Sequence, residues 1–369
     1  MTMSPRFRYL LWLLLPSLFY LQTAAAEQVA KLYEGEVPVI GQNSEARATG
    51  IQQAFAQVLV KVSGDRGLLS NPQVDGLLRR ASSYVQQYRY LSLEDSPAGV
   101  AAPEADRLLW VSFDERAVNR LLRESGVPVW GTTRPSVLIW LGEEAGASRA
   151  LISLEQQTLL KNTLNRVAGS RGLPVVLPLM DMEDRNALPV SDLWGGFETD
   201  IRRASARYLP DVILVGRMSQ LGAEWRGEWD LYLPDKITRW QTRAGSKIAL
   251  AEEGLQQAAD ALALRFAPQQ VTEGSDMLRI RIHGLTRLAD YVLVRDYLQS
   301  LAMIEQLDLL AASPDQLDFL AKVQGGRELL ERGIQLGAVL DPMEVQAPVA
   351  GEMTPPEGLD GESLDYRLR

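Results

Sequence analysis

The chain contains no cysteine and a single histidine, His283. Disulfides, thiolate catalysis, iron–sulfur clusters and Cys-ligated zinc are therefore excluded, and so is any site built from several histidines. Positive charge is in deficit: 38 Lys and Arg face 47 Asp and Glu, a net charge of −9. That balance argues against an electrostatic nucleic-acid binder. Beyond the N-terminus no apolar run reaches the roughly 20 residues that span a membrane, and no internal repeat is visible. No nucleophile–base pair stands out, so nucleophilic hydrolysis has no visible constellation. Any chemistry must rest on carboxylates, arginine, lysine, hydroxyls and backbone, and no cofactor is implied. What is present is an ordinary globular composition, 46% apolar and 23% charged. At 369 residues the chain exceeds one compact core and predicts two or three domains.

The N-terminus carries an export pattern. Arg6 and Arg8 precede the apolar run Tyr9–Leu21, and Thr23-Ala24-Ala25-Ala26 precedes Glu27. A basic start, a short apolar stretch and small residues are what signal peptidase reads. A retained anchor is the alternative, but the run is short of the roughly 20 residues that cross hydrocarbon and Pro16 interrupts it. The expectation is a signal peptide over 1–26, cleavage after Ala26 and a periplasmic product. Losing Arg6 and Arg8 moves the net charge from −9 to −11. No cysteine follows the small residues, so no lipid anchor is expected.

Three modules follow. Residues 27–131 read as a small α+β unit, opening on a loose edge strand over 29–39. Ile51, Ala54, Phe55, Val58, Leu59 and Val62 follow helical spacing, with Ser44 as the predicted cap and Gly64 as the stop. A second helix is predicted from Pro72 through Tyr88, a loop over 94–106, a strand over 108–113 and a helix capped by Asp114. Residues 132–268 read as an α/β unit. Val137–Leu141 is a continuous apolar strand, the pattern of burial on both faces. Strands near 174–179 and 212–216 and helices over 154–168 and 197–207 give a βαβαβ order with parallel crossovers. An antiparallel pair, 224–233 and 237–243, and a helix over 246–266 close it. Residues 275–341 read as β-α-β-β-α-β, the ferredoxin-like order. From 342 to 369 proline, glycine and acid predict a disordered acidic tail. The seven tryptophans after Trp12 fall between positions 110 and 240.

Candidate sites are few. Val127-Pro-Val-Trp130-Gly-Thr-Thr-Arg134-Pro135 places Trp130 and Arg134 between two modules, where they either line a partner surface or cleft or form a rigid packed linker. Ser63-Gly64-Asp65-Arg66-Gly67 either presents backbone N–H groups and Arg66 to an anion or is a helix cap running into a turn. Asp181, Glu183 and Asp184 lie past a parallel strand, where sheets of this kind hold ligands. They either hold Mg²⁺ or Ca²⁺ or form a solvated loop. Gly325-Gly326 opens a helix without the lysine and hydroxyl of a phosphate loop. His283 reads as a strand-edge residue.

Two resemblances extend this reading. The motifs Leu32-Tyr-Glu-Gly-Glu-Val-Pro-Val39, Val58-Leu-Val-Lys-Val-Ser-Gly-Asp-Arg66, Tyr84-Val-Gln-Gln-Tyr88, Val118-Asn-Arg-Leu-Leu-Arg-Glu124 and Val127-Pro-Val-Trp-Gly131, with Arg134-Pro135 before the strand ending Trp140-Leu141, resemble the domain-of-unknown-function family 2066 of exported Gram-negative proteins. That likeness covers about 27–340 and implies no activity. The middle unit, with Pro210-Asp-Val-Ile-Leu-Val-Gly-Arg217 followed by two antiparallel strands and a long helix, resembles in element order the amino-terminal domain of TolB and its relatives CsgG and LpoB. Those relatives imply a non-catalytic envelope protein that binds partners. This chain departs from them in lacking a lipid-anchor cysteine and a propeller.

The favoured expectation is a periplasmic scaffold or accessory factor that binds an envelope protein through Trp130, Arg134, Asp65 and Arg66. A binder of a small ligand or peptidoglycan fragment in a Trp-lined cleft is the alternative, and a carboxylate–metal hydrolase at Asp181 a third. Expressed in a Gram-negative cell, the chain is expected to give a periplasmic product starting at Glu27, checked by intact mass; a product retaining Arg6 and Arg8 would contradict the export reading.

Overall fold

The computed structural model describes residues 29, 31–93, 105–146, 148–267, 276–337, 339–343 and 363–369. The expected signal peptide and most of the expected 94–106 loop lie outside them. Among the described residues no helix is long and apolar enough to cross a membrane.

The first unit is a three-stranded antiparallel sheet under a long helix. It comprises β1 (Glu34–Val39), α1 (Ser44–Ser63), α2 (Pro72–Leu78), β2 (Val85–Leu91), β3 (Arg107–Phe113) and α3 (Glu115–Glu124). The sheet order is β1-β3-β2. The predicted stripe of α1 is buried against Val37, Leu109, Val111 and Phe113. Its cap is Asn43 rather than Ser44, since the Asn43 side chain accepts from the Ala46 N–H. The helix ends at Gly64 in the left-handed region, φ 73°, as a glycine stop permits. Asp114 caps α3 as expected.

The helix predicted over 72–88 stops at Leu78. Residues 85–91 instead form β2, in register with β3 from Val85↔Phe113 to Leu91↔Leu108. Val85, Tyr88 and Tyr90 suit a strand, and Tyr84 stacks on Phe55 at 5.4 Å. A helical spacing of apolar residues was thus met by a strand whose partner lies some twenty residues on.

The central unit comprises β4 (Val137–Ala145), β5 (Ser148–Leu151), α4 (Thr158–Arg171), β6 (Val175–Val176), α5 (Met182–Ala187), α6 (Val190–Gly195), α7 (Glu198–Ser205), β7 (Val212–Leu221), β8 (Glu224–Tyr232), β9 (Ile237–Ala244) and α8 (Lys247–Phe266). The sheet runs β5-β4-β7-β8-β9, with β6 on the outer edge of β4. β4 is parallel to both β6 and β7, and β7, β8 and β9 are antiparallel. β4 is covered on both faces, as its unbroken apolar run predicted. Val137, Ile139 and Leu141 join the core under α4 and α8, while Leu138 and Trp140 join the core under α5 to α7. β6 is shorter than predicted because β5 takes over the same edge of β4 from Gly142 onward.

The third unit comprises β10 (Asp276–His283), α9 (Leu288–Ser300), β11 (Ile304–Ala312), β12 (Gln316–Val323), α10 (Gly326–Leu336), β13 (Leu340–Pro342) and β14 (Leu364–Leu368). The β-α-β-β-α-β order is as predicted. The disordered tail expected over 342–369 is corrected at its far end, where residues 364–368 form β14 inside the sheet. The order is β11-β12-β10-β14-β13. Residues 344–362 of that expected tail lie outside the described residues.

Close packing in the central core gives a direct test. A Cβ added to Gly254 on α8 would lie 2.1 Å from the Trp229 ring. Gly254→Ala is expected to lower stability by about 1–3 kcal/mol through overpacking, read as a fall in the thermal midpoint. Gly245→Ala, where a Cβ meets nothing within 4 Å, is expected to leave it unchanged.

Candidate functional site

The segment between the first two units gathers the four residues expected to form a surface, and it places them in a seam. Arg134 is 0% exposed and Trp130 1%. The guanidinium lies over the Trp130 ring, 4.2 Å from its centroid. All five of its N–H donors meet carbonyl oxygens. Nε donates to Gly131 (3.0 Å), Nη1 to Arg171 and Gly172 (2.7 and 3.2 Å), and Nη2 to Lys61 and Trp130 (2.6 and 2.8 Å). No carboxylate pairs with it among the described residues.

The positions of those carbonyls explain how a charge can sit there. Lys61 is in the last turn of α1, and Arg171 and Gly172 close α4. Helix C-termini have unpaired carbonyls and carry about −0.5 elementary charge each. Arg134 bridges two of them, so the dipoles supply about one opposite charge between them. Burial pulls the Arg134 pKa down to about 9, and it remains a cation at neutral pH.

Arg171 repeats the device. It is 1% exposed and donates to the Gly64 carbonyl (2.7 Å), Gln256 Oε1 (2.7 Å) and Asp260 Oδ1 (2.6 Å). Arg66, just past α1, meets Glu253 with both Nη groups at 3.2 Å and Asp260 at 3.0 Å. Glu253, Gln256 and Asp260 share one face of α8 by their spacing. Asp65 accepts from the Gly67 N–H and caps a short turn. The Trp130 backbone N–H donates to the Val62 carbonyl at 2.7 Å. A Cβ on Gly131 would lie 2.7 Å from Ala302 of the third unit, so three units meet at this segment.

The seam therefore presents neither Trp130 nor Arg134 to a partner. The expected Trp-lined cleft between the first two units is filled by them. A groove of about 360 Å³ does lie along the seam, between Gln53, Val60 and Leu69 on one side and Ser170 and Gln256 on the other, with no tryptophan in its wall.

Asp181, Glu183 and Asp184 are brought together, around an arginine. Arg207 Nη1 lies 3.0 Å from Asp181, 2.9 Å from Asp184 and 3.5 Å from Glu183. Asp184 is fully buried and also accepts from the Tyr208 hydroxyl (2.6 Å) and the Met180 N–H (2.8 Å). The bond from Arg207 holds the Asp181 carboxyl below its usual range. Burial, with Asp184 alongside, pushes the Tyr208 hydroxyl up to about 12. The oxygens a metal would need are committed to Arg207 and Tyr208, and among the described residues no group of three or more His, Cys, Asp or Glu is arranged to hold a metal ion. Gly325 and Gly326, both left-handed at φ 80° and 78°, form a tight turn. His283 lies 3.3 Å from Asp365.

The sequence reading missed Arg171 and Lys61. The available signal was an arginine in the last turn before a glycine stop, Arg171-Gly172, a place where cations serve helix carbonyls. It also missed a cleft of about 410 Å³ where the edge of β4 passes from β6 to β5, lined by Glu143, Arg149, Gln156, Met180 and Arg185. The Arg185 side chain makes no hydrogen bond or ion pair with the described residues.

Comparison with known proteins adds little activity. The profile of a Domain of unknown function (DUF8605) matches residues 26–131. A family of unknown function is thus supported for the first unit, while the number 2066 is not. No curated protein matches. Solved structures that align include the Protein Y N-terminal domain of Thermus thermophilus, at 10% identity and TM-score 0.18, covering 35% of this chain and 93% of that one. The LpoB C-terminal domain of Salmonella enterica aligns at 15% identity and TM-score 0.23, again covering 35% and 93%. Scores this low carry no argument about fold or function.

Two outcomes follow from the seam. Arg134→Met leaves buried carbonyls of α1 and α4 without donors, and is expected to cost about 1–3 kcal/mol, the penalty of a buried acceptor left unsatisfied; a wild-type unfolding midpoint would contradict the bridging role. Lys61, whose Nζ donates to the Glu34 carbonyl at 2.7 Å, is pulled by burial down to about 8 from its ordinary 10.5. Between those values the unfolded chain holds a proton that the folded chain has released, so stability rises with pH. The difference in unfolding free energy between wild type and Lys61→Met is expected to shift in favour of wild type as pH rises from 8 to 10, measured by urea denaturation.

Proposed function

We propose that this is a non-catalytic protein of the bacterial envelope that works by binding another protein. The observation that carries this is α9. The helix buries Val294, Tyr297 and Leu298 against its own sheet, yet it turns Leu288, Val292 and Leu293 outward, with Leu288 82% exposed. Leu288 and Val292 are one turn apart on one face, which Asp296 shares, and Leu293 is exposed on its flank. Large apolar side chains exposed together mark a contact surface, and the first two turns of α9 fit the apolar surface of a partner. Two further observations support the reading. The N-terminal residues carry an export pattern. The buried charged groups at the seam and at Asp184 are already committed to internal bonds.

A second reading has its own observation. The cleft of about 410 Å³ beside β4 holds the unpaired Arg185 with Arg149 and Gln156, a set that suits a small anionic ligand such as a peptidoglycan fragment.

A photo-crosslinking residue at Val292, activated in cells, is expected to trap one dominant envelope protein, identified by mass spectrometry. Leu288→Asp with Leu293→Asp is expected to reduce that adduct at least tenfold while leaving the unfolding midpoint in place. An adduct that persists in the double variant would overturn the role of α9. A peptidoglycan fragment that binds by calorimetry and is lost in Arg185→Ala would put the cleft first.

A further inference from the structure

The third sheet holds one strand more than its β-α-β-β-α-β order requires. In that order the last strand, β13, would lie beside the first, β10. Here β14 lies between them, parallel to β10 (Ile280↔Leu364 to His283↔Arg367) and antiparallel to β13 (Leu340↔Leu368 to Pro342↔Tyr366). Neighbouring strands lie about 4.8 Å apart, so β10 and β13 flank a gap one strand wide. The gap is selective. Leu364 and Tyr366 point into the core, each 3% exposed, beside Ile280, Ile282 and Ile334. On the opposite face Asp365 meets Arg281 at 3.2 Å and His283 at 3.3 Å. The gap thus accepts an apolar–acidic–aromatic–basic–apolar sequence in extended form.

No tight turn ties the occupant to its antiparallel neighbour. An antiparallel neighbour can be reached by a hairpin of about 2–5 residues, yet 21 residues, 343–363, separate β13 from β14. On its outer side β14 pairs with 339–343, where the Arg369 N–H donates to the Val339 carbonyl (3.1 Å), the Met343 N–H donates to the Asp365 carbonyl (2.9 Å) and the Arg369 side chain meets Asp341. Its hold on the molecule is a main-chain ladder on each side, the ion pairs of Asp365 and the burial of Leu364 and Tyr366.

We propose that the gap between β10 and β13 is a strand-binding slot. Its resident occupant is the chain's own β14, and an extended segment of a partner protein with the same alternation takes its place. Strand insertion of this kind draws affinity from main-chain hydrogen bonds and specificity from alternate side chains. Covalent connection to the slot gives the resident strand an effective concentration, which sets the threshold an external segment must exceed. The inference is independent of the α9 surface.

The test uses the full chain with a protease site introduced between Ala350 and Gly351, and a fluorescent peptide with the sequence of residues 363–369. After cutting, with folding verified by circular dichroism, the protein is expected to take up the peptide by anisotropy. The uncut chain should bind it at least a hundredfold more weakly. Peptides carrying Tyr366→Ala or Asp365→Arg should lose at least tenfold. No uptake by the folded, cut protein, or equal uptake of a scrambled peptide, overturns the proposal. Where cutting unfolds the protein, native-state hydrogen exchange of the uncut chain decides. Amides of Tyr366 and Leu368 exchanging at least tenfold faster than those of Ile280 and Phe319 support a slot that opens locally. Exchange only with global unfolding overturns it.

Discussion

Arg134 carries a positive charge into a site where, among the described residues, no carboxylate meets it, and the C-terminal ends of α1 and α4 neutralise that charge between them. Each helix belongs to a different unit, so the guanidinium fixes their relative placement as well as capping both. Hydrogen bonds to a charged donor are stronger than neutral ones, and five of them close on one planar group. Lysine, a point charge with three donors, cannot reproduce that geometry. Once the two helix ends are pinned, Trp130 fills the space beside them, Arg171 reaches from α4 to Gly64 and α8, and Gly131 brings Ala302 of the third unit into contact.

The same constraint shapes where function can lie. Arginine and aspartate in this chain look like site residues by type, yet at the seam and around Asp184 their polar atoms, Arg171 Nε excepted, are taken up by helix ends, caps and one another. A saturated cluster holds geometry and offers little to a ligand. What remains open is of another kind: an apolar helix face on α9, a mixed cleft beside β4 where strand pairing changes, and a sheet whose last strand is inserted between two others. These are features of recognition, and all three lie outside the segment that the sequence made most conspicuous.

Local signals were legible where one element satisfied its own pattern. The α1 stripe, the Asp114 cap, the doubly buried β4 and the glycine stop at Gly64 all appear as expected. The failures occur where a distant partner decides. Ala81, Val85 and Tyr88 have a spacing compatible with a helix, yet Val85 and Tyr88 join β2 because β3 offers an unpaired edge. Leu364, Tyr366 and Leu368 alternate with Asp365 and Arg367, a period-two signal that was present in the sequence but surrounded by proline, glycine and acid. Trp130 and Arg134 were recognisable as a pair, with packing and binding left open, since a sequence does not say whether a boundary is filled.

The sequence by itself determined the classes excluded by missing cysteine and histidine, the three-module order, and most helix and strand types, because these depend on composition and on periodicities read within a dozen residues. The tertiary structure decided that the conspicuous pair is buried, that the three acids belong to Arg207, and that the third sheet has an inserted strand. Each of those outcomes depends on groups far apart in sequence competing for the same carbonyls, carboxylates and strand edges. Which group wins is set by where the backbone places the free partner, and that placement exists only once the units have packed together.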